Sequence, residues 1–278
     1  DFVGFAQPDV VFHLAAQPLV RASYSDCLGT WSTNVQGSLN LLEALKSQQH
    51  RCAVVMVTTD KVYQNKEWFW PYREEDALGG YDPYSASKAA SEIVISSYRD
   101  SFLKPDSKSV SSARAGNVVG GGDWSADRLI PDAIRAWNGG IDLDIRRPDS
   151  IRPWQHVLEP LCGYMKLAEA SWSDASLAGA YNFGPELSGT ASVRDVVELS
   201  RKFFGSGKIS YGKENEGPHE AGLLTLDVAK SRKVLNFKPR WSLSRSIERT
   251  IRWYLAFYSG SDAKTLCDTD INIYEEQE

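Results

Sequence analysis

Short apolar runs alternate with longer amphipathic segments along the first 120 residues. The runs Val10–Leu14 and Ala53–Val57 are rich in β-forming residues, as expected of strands buried on both faces of a parallel sheet. A third strand is predicted around Val110–Val119, after a helix from about Pro83 to Phe102. Between the first two runs, apolar residues recur at helical spacing, at Val35, Leu39, Leu42 and Leu45. This order predicts right-handed βαβ units.

The start of the first amphipathic helix is marked by a polar residue. Asn34 stands directly before the apolar series, and an asparagine side chain can accept a hydrogen bond from the free amides of a first helical turn. We therefore expect Asn34 to cap this helix.

The segments after Trp124 are shorter and more mixed. Helices are predicted near residues 129–137, 159–170, 193–204, 227–235 and 243–258. The fold class that follows is α/β, with a Rossmann-like parallel sheet and a smaller mixed α/β lobe. We expect the sheet domain to cover residues 1–122 and the lobe to cover mainly 123–278, with some later segments returning to the sheet.

Composition narrows the possible partners. The chain has 278 residues, of which 42% are hydrophobic, so it is long and apolar enough to form a globular core. Its net charge of -5, with no basic cluster, argues against nucleic acid or an anionic membrane as a partner. Four cysteines stand far apart without zinc-binding spacing, and no long apolar segment or signal peptide is visible. We predict reduced thiols, no metal and a cytoplasmic location.

Tyr84 and Lys88 are the first candidates for chemistry. They are four residues apart on a predicted helix, so both side chains can face one substrate atom. Lowering a tyrosine pKa from about 10 to about 7 takes roughly 4 kcal/mol, and a cation about 4 Å away supplies about that much at a near-surface dielectric. The lysine would thus make Tyr84 a general base at neutral pH.

The spacing alone also fits an exposed helix pair with no function. With 12 tyrosines, one such pair by chance has about an even probability. The position of the pair favours function, because the preceding strand ends in the polar segment Thr58–Tyr63. Ligands of open α/β sheets bind at the carboxyl ends of strands.

Three motifs in order resemble a known family. His13–Ala16 (HLAA), Thr59–Tyr63 (TDKVY) and Tyr84–Lys88 (YSASK) are similar to the motifs of extended short-chain dehydrogenase/reductases that modify nucleotide sugars. Within that family the chain resembles the CDP-glucose 4,6-dehydratases, through segments 15–21, 67–73, 79–84 and 120–124. Asp60-Lys61 is the most diagnostic element, because related dTDP-glucose dehydratases usually carry Asp-Glu there.

The resemblance implies a mechanism that passes through a 4-keto sugar. Tyr84 would take the proton of the 4-hydroxyl, with Thr59 bonded to the same oxygen, while a nicotinamide takes the C4 hydride. Lys61 would then remove the C5 proton, and Asp60 would protonate the departing 6-hydroxyl. The hydride returns to C6, so the cofactor stays bound. For Asp60 and Lys61 the alternative interpretation is a surface ion pair at a strand end.

The resemblance also implies binding residues. NAD is the expected cofactor, with contacts from Leu14, Ala15, Ala16, Asn34, Tyr84 and Lys88. A nucleotide sugar is the expected substrate, with contacts from Asn117, Arg128, Leu129 and Arg152. A guanidinium suits the pyrophosphate of such a substrate. The alternative for each is a salt bridge or a turn, and it is stronger for Arg128 than for Arg152.

The usual phosphate-binding turn of a dinucleotide site is not found. No Gly-rich strand-turn-helix precedes Val10, and Gly120–Gly122 follows a late strand without opening a suitably spaced helix. We therefore expect the sheet domain to lack its N-terminal strands. The alternatives that stay open are an epimerase or decarboxylase of the same superfamily and a cofactor-free, non-catalytic fragment. A homodimer or tetramer is the family expectation, through helices at 35–46 and 84–102.

Overall fold

The computed structural model of the protein describes residues 2–103, 107–186, 189–212 and 221–276. Within them the chain forms two compact units. Unit 1 comprises residues 1–116, 161–183 and 226–237, and unit 2 comprises 117–160, 184–225 and 238–278. No helix in the described ranges is both long enough and apolar enough to cross a membrane.

Helices and strands follow one another along the chain in mixed order. The helices are α1 (Phe2–Ala6), α2 (Val20–Ser25), α3 (Cys27–Trp31), α4 (Gly37–Lys46), α5 (Pro83–Ser101), α6 (Leu129–Asn138), α7 (Leu158–Ser173), α8 (Val193–Phe204), α9 (Ala229–Leu235), α10 (Leu243–Tyr258) and α11 (Ala263–Glu275). The strands are β1 (Val10–His13), β2 (Cys52–Val57), β3 (Lys108–Ala115), β4 (Val118–Val119), β5 (Leu143–Ile145), β6 (Ile151–Arg152), β7 (Gln155–His156), β8 (Ala180–Phe183), β9 (Ala191–Ser192) and β10 (Ile209–Tyr211).

Unit 1 is built on a parallel sheet with the strand order β1-β2-β3-β8. All three pairings in it are parallel, with Val11 beside Val54 and Val54 beside Val110. An apolar layer between the sheet and helices α4 and α5 forms the core, from residues such as Leu42, Met56 and Ile95. The predicted α/β class with a Rossmann-like sheet is confirmed.

The central strands of this sheet are more deeply buried than the strand at its β1 edge. All residues of β3 and all but the last of β2 are buried, because each strand has a neighbour on both sides. Strand β1 lies at the edge, and its Val10 and Phe12 are each 41% exposed. The prediction of burial on both faces is therefore confirmed for β2 and wrong for β1.

Unit 2 contains three short two-stranded pairings and helices α6, α8, α10 and α11. Strands β4 and β7 run parallel, as do β5 and β10, whereas β6 and β9 are antiparallel. Its core brings Ile134, Val196 and Ile251 together from three helices. Helix α8 begins with a capping box, in which Ser192 and Asp195 bond to each other's backbone amides.

Two local predictions were wrong. The strand expected over 110–119 is divided into β3 and β4, which pair in different sheets because the chain leaves the first sheet at Gly116–Asn117. Asn34 does not cap a helix. It is buried inside one turn of π-helix, Ser32–Gln36, that joins α3 to α4 without a break in helical conformation.

Candidate active site

A short turn at the carboxyl end of β2 carries three of the predicted catalytic residues. Thr59 donates a hydrogen bond to a carboxylate oxygen of Asp60 at 3.0 Å and accepts one from the backbone N–H of Lys61 at 3.4 Å. We call Thr59–Lys61 the catalytic turn. Asp60 is 1% exposed, and its second carboxylate oxygen has no hydrogen-bond partner within the described residues. An unpartnered buried acceptor of this kind calls for an explanation, and a catalytic role is one of those known.

The start of α5 is fixed by local interactions that the sequence encodes. Asp82 caps the helix by accepting a hydrogen bond from the Ser85 N–H at 2.9 Å, and Pro83 occupies the first helical turn. A Cβ on Gly80 would lie 2.2 Å from the Ala86 nitrogen, so only glycine allows this close approach of the backbone. The helix therefore begins one residue before Tyr84.

Tyr84 and Lys88 are both buried on α5, where helical spacing places them one turn apart. Lys88 Nζ donates to the carbonyl oxygen of Val57, the last residue of β2, at 3.1 Å. Helix α5 also packs against the turn of 3-10 helix at Asp60–Val62. The lysine head therefore lies at the strand end from which the catalytic turn begins.

Burial changes the proton affinity of this lysine. Removal from water lowers the pKa of Lys88 from its usual 10.5 to about 8, while the carboxylate of Glu92 acts in the opposite direction. At pH 7 the side chain is still mainly a cation. Burial, and then the charge of Lys88, lower the pKa of His13 at the end of β1, so His13 is neutral beside the lysine.

The remaining predicted cofactor residues of unit 1 lie directly after β1 and in the π-helical turn before α4. Leu14 and Ala15 are exposed directly after His13, and Ala16 is partly buried. Asn34 is buried and uses its whole amide within the protein. Its oxygen accepts from Gln17 N–H at 2.8 Å, and its nitrogen donates to Gln17 O and to Ser87 Oγ. Asn34 therefore connects the loop after β1 to α5 by hydrogen bonds. Its contact with the cofactor stays a prediction.

The predicted substrate residues all belong to unit 2. Asn117 precedes β4, its carbonyl accepts from Gln155 N–H at 2.9 Å, and its buried side-chain oxygen lacks a hydrogen bond within the described part of the chain. Arg152 is buried and donates to the carbonyl oxygens of Ile151 and Ala221. Since β4 pairs with β7, which follows β6 closely, Asn117 and Arg152 lie on adjoining segments.

Arg128 and Leu129 stand at the start of α6. Arg128 is at the N-cap position and lies 3.6 Å from the carboxylate of Asp123, with about a third of its side chain exposed. Leu129 packs against the apolar core of unit 2. The salt bridge is the alternative considered for Arg128 from the sequence, and substrate contact by either residue stays a prediction.

The glycine run after β4 serves packing. A Cβ on Gly121 would lie 2.1 Å from the ring of Trp253, and one on Gly120 would lie 2.7 Å from Val157. His156 in the paired strand β7 is buried against Trp241, and burial lowers its pKa to about 3. No group of three or more potential metal ligands occurs among the described residues.

Two charged residues next to the site were missed from the sequence. Glu92 and Arg114 form an ion pair at 2.8 Å, with 3% and 4% of their side chains exposed. A signal for the first was present, because Glu92 continues the four-residue spacing of Tyr84 and Lys88 on α5. The signal for Arg114 is a charged residue near the end of a strand that is buried throughout.

Comparison with known proteins assigns the family. The family model of GDP-mannose 4,6 dehydratase matches residues 2–250. The chain belongs to this family. The chain is 43% identical over 274 residues to CDP-glucose 4,6-dehydratase of Salmonella typhimurium, covering 96% of this chain and 76% of the relative. The resemblance to nucleotide-sugar dehydratases of the extended short-chain dehydrogenase/reductase type is confirmed.

Two solved structures share the fold. UDP-glucuronic acid 4-epimerase from Bacillus cereus, in complex with UDP-glucuronic acid and NAD, matches with a TM-score of 0.81 at 24% identity, covering 93% of this chain and 79% of the other. A dTDP-glucose 4,6-dehydratase double mutant from Streptomyces venezuelae, with NAD and DAU bound, matches with a TM-score of 0.75 at 25% identity, covering 89% and 73%.

Proposed function

We propose that the protein is a nucleotide-sugar 4,6-dehydratase that converts CDP-glucose to the 4-keto-6-deoxy sugar with bound NAD. The observation that carries the proposal is the bond from Lys88 Nζ to Val57 O, which joins the Tyr84–Lys88 helix to the strand end bearing the catalytic turn. The 43% identity to the Salmonella CDP-glucose 4,6-dehydratase supports the choice of reaction and substrate.

The end of β1 and the face of α5 fit the nicotinamide part of the cofactor. Leu14 and Ala15 offer an exposed apolar surface directly after His13, whose pKa responds to Lys88. Exposed apolar residues at a strand end are typical of a ligand pocket. When bound there, NAD supplies hydride acceptance and return. The proposal concerns only the nicotinamide end of the cofactor.

The side chains divide the proton transfers between them. Tyr84 accepts the proton of the sugar 4-hydroxyl, and the Lys88 cation stabilises the phenolate form of the tyrosine. Thr59 hydrogen-bonds the same sugar oxygen. Lys61 removes the C5 proton, which the neighbouring ketone acidifies, and Asp60 protonates the departing 6-hydroxyl. Arg152 and Asn117 bind the nucleotide-sugar phosphates and sugar, with Arg128 and Leu129 as further contacts.

The test is incubation of the protein with CDP-glucose and NAD, followed by detection of the 4-keto-6-deoxy product. No product at any NAD concentration would end the proposal. Lys61→Met then separates two reactions of the superfamily. A dehydratase should lose at least about 100-fold in kcat without its C5 base, whereas a 4-epimerase needs no proton transfer at C5 and should tolerate the change. Calorimetric titration with NAD and with CDP-glucose tests the alternative of a non-catalytic protein, which need bind neither compound.

We also propose a homodimer or tetramer formed through α4 and α5. These helices pack against each other, and Ile93 of α5 is 58% exposed. Light scattering on the protein and on Ile93→Glu checks this, because a charge in an apolar interface should lower the mass to that of a monomer. The cytoplasm stays our prediction for its compartment.

A further inference from the structure

A buried ion pair lies beside the catalytic turn and takes no part in the proposed proton transfers. Glu92 of α5 and Arg114 of β3 meet at 2.8 Å, and both are almost completely buried. Such a pair is weak support for stability, because the loss of hydration offsets much of the attraction between the charges. Its other hydrogen bonds indicate a different role.

The carboxylate of Glu92 is bonded on both oxygens. One oxygen accepts from the hydroxyl of Thr58, the residue directly before the catalytic turn. The other accepts from Ser112 Oγ at 2.7 Å and from Arg114 Nη2 at 2.8 Å. Burial acts to raise the pKa of Glu92, but the bonds from Arg114 and the two hydroxyls outweigh it and lower the pKa. Glu92 is therefore an anion that holds the turn at its start.

The guanidinium of Arg114 holds the other end. Its Nη1 donates to the hydroxyl of Tyr63 at 3.0 Å and to the carbonyl oxygen of Glu74 at 2.9 Å. Tyr63 stands two residues after the catalytic turn, and its hydroxyl donates to Asn182 Oδ1 of β8 at 2.6 Å. The two ends of the turn are thus connected through one ion pair.

We propose that Glu92 and Arg114 are positioning residues that fix the catalytic turn relative to Tyr84 and Lys88 and set the charge environment of Lys88. Glu92 lies on the same helix as Tyr84 and Lys88, one further turn along, so the pair connects both groups of catalytic residues. The inference rests on the proposed dehydratase function for its kinetic effects. Its electrostatic effect on Lys88 is independent of that function.

Several charged and titratable groups surround Lys88. Tyr84 and Glu92 share its helix, and His13 approaches from the end of β1. Asp60 lies in the turn that packs against α5, and Arg114 reaches the region from β3 through its bond to Glu92. Glu92 is bonded to Arg114, but its carboxylate still raises the pKa of Lys88. Removing the charge of Glu92 removes this effect and leaves the Arg114 cation in the region.

The main test is Glu92→Gln, which keeps the shape of the side chain and removes its charge. The Glu92 carboxylate, which raises the pKa of Lys88, is then lost, so the pKa of Lys88 should fall. We expect kcat with CDP-glucose to fall at least tenfold with KM changed less than threefold. The alkaline limb of the pH–rate profile should move to lower pH. Arg114→Lys should restore more activity than Arg114→Met, since it keeps the charge.

Asp270→Asn is the matched control. Asp270 pairs with Arg249 in a similarly buried position of unit 2, with 6% and 15% of the side chains exposed. This variant should lose stability without moving the pH profile. The same pH shift in both variants would overturn the inference, as would a Glu92→Gln profile identical to that of the unmodified protein.

A second readout does not require turnover. Titration of lysine carbons labelled with ¹³C, with the Lys88 signal assigned by its loss in Lys88→Met, measures the Lys88 pKa directly in each folded variant. If the unmodified protein does not convert CDP-glucose, the proposed function fails, while a shifted Lys88 titration in Glu92→Gln still supports the electrostatic link. An unshifted titration overturns that link whatever the activity.

Discussion

Replacing the buried lysine of the candidate site should stabilise the protein at neutral pH while removing its activity. Lys88 is 6% exposed, and burial lowers its pKa from 10.5 to about 8. Each pKa unit corresponds to about 1.4 kcal/mol, so keeping the proton in the folded state costs about 3 kcal/mol. Lys88→Met removes this cost and loses the bond to Val57 O, worth about 1 kcal/mol. The expected net gain is about 2 kcal/mol at pH 7.

The sign of the pH dependence follows from linkage. The folded chain binds this proton less tightly than the unfolded chain, so the cost is fully present below about pH 8. It disappears as the pH rises from about 8 to 10.5, where the folded lysine becomes neutral before the unfolded one. The advantage of Lys88→Met should therefore be largest near pH 7 and absent by about pH 10.5.

Urea unfolding followed by tryptophan fluorescence at pH 7, 9 and 10.5 measures this difference. Lys264→Met is the control, because Lys264 is 84% exposed on α11 and its replacement should leave the free energy of unfolding nearly unchanged at every pH. Two results would refute the argument that the buried Lys88 cation destabilises the folded protein. One is a Lys88→Met variant less stable than the unmodified protein at pH 7, and the other is an effect on stability that does not vary with pH.

Further predictions concern packing and capping. Gly121→Ala should cost about 1 to 3 kcal/mol, because its Cβ would overlap the ring of Trp253, and a lower midpoint in urea would show this. Gly37→Ala is the matched change and should raise the free energy of unfolding by about 0.5 to 1 kcal/mol, since its Cβ enters open space on a helix. A lower free energy of unfolding in this variant would contradict the description of α4. Ser192→Ala should cost about 1 kcal/mol by removing the cap of α8, measured as a lower Tm, whereas an unchanged Tm would show that the cap is dispensable.

The fold of unit 1 was largely predictable because its strands carry a simple signal. The run in β2 is short, apolar and buried, and the spacing of Leu42 and Leu45 matches the inner face of α4. The partial exposure of β1 was not predictable, since a strand at the edge of a sheet has the same composition as a central one. The end of β3 was also missed, because only Gly116 and Asn117 separate it from Val118–Val119 of β4.

The candidate site was predictable where a residue type and a strand end coincide. Tyr84, Lys88 and the catalytic turn could be placed from spacing and from the rule that ligands bind at the carboxyl ends of strands. The role of Asn34 could not be predicted in this way. Its amide bonds to Gln17 and Ser87 are set by a π-helical turn, which leaves no pattern in the sequence. Partners such as Arg114 come from distant segments and required the folded structure.

Four buried charged residues near α5 and the ends of β2 and β3 have two kinds of partner: Glu92, Arg114, Lys88 and Asp60. Glu92 and Arg114 are bonded to each other, and a buried ion pair resists any change of protonation because losing one charge leaves the other uncompensated. Lys88 is bonded to a neutral carbonyl, and Asp60 to a neutral hydroxyl. A proton can leave or join such groups without stranding an opposite charge. Of these four side chains, the proposed reaction changes the charge of Asp60 alone; Lys88 stays a cation, and the ion pair of Glu92 and Arg114 holds both in position.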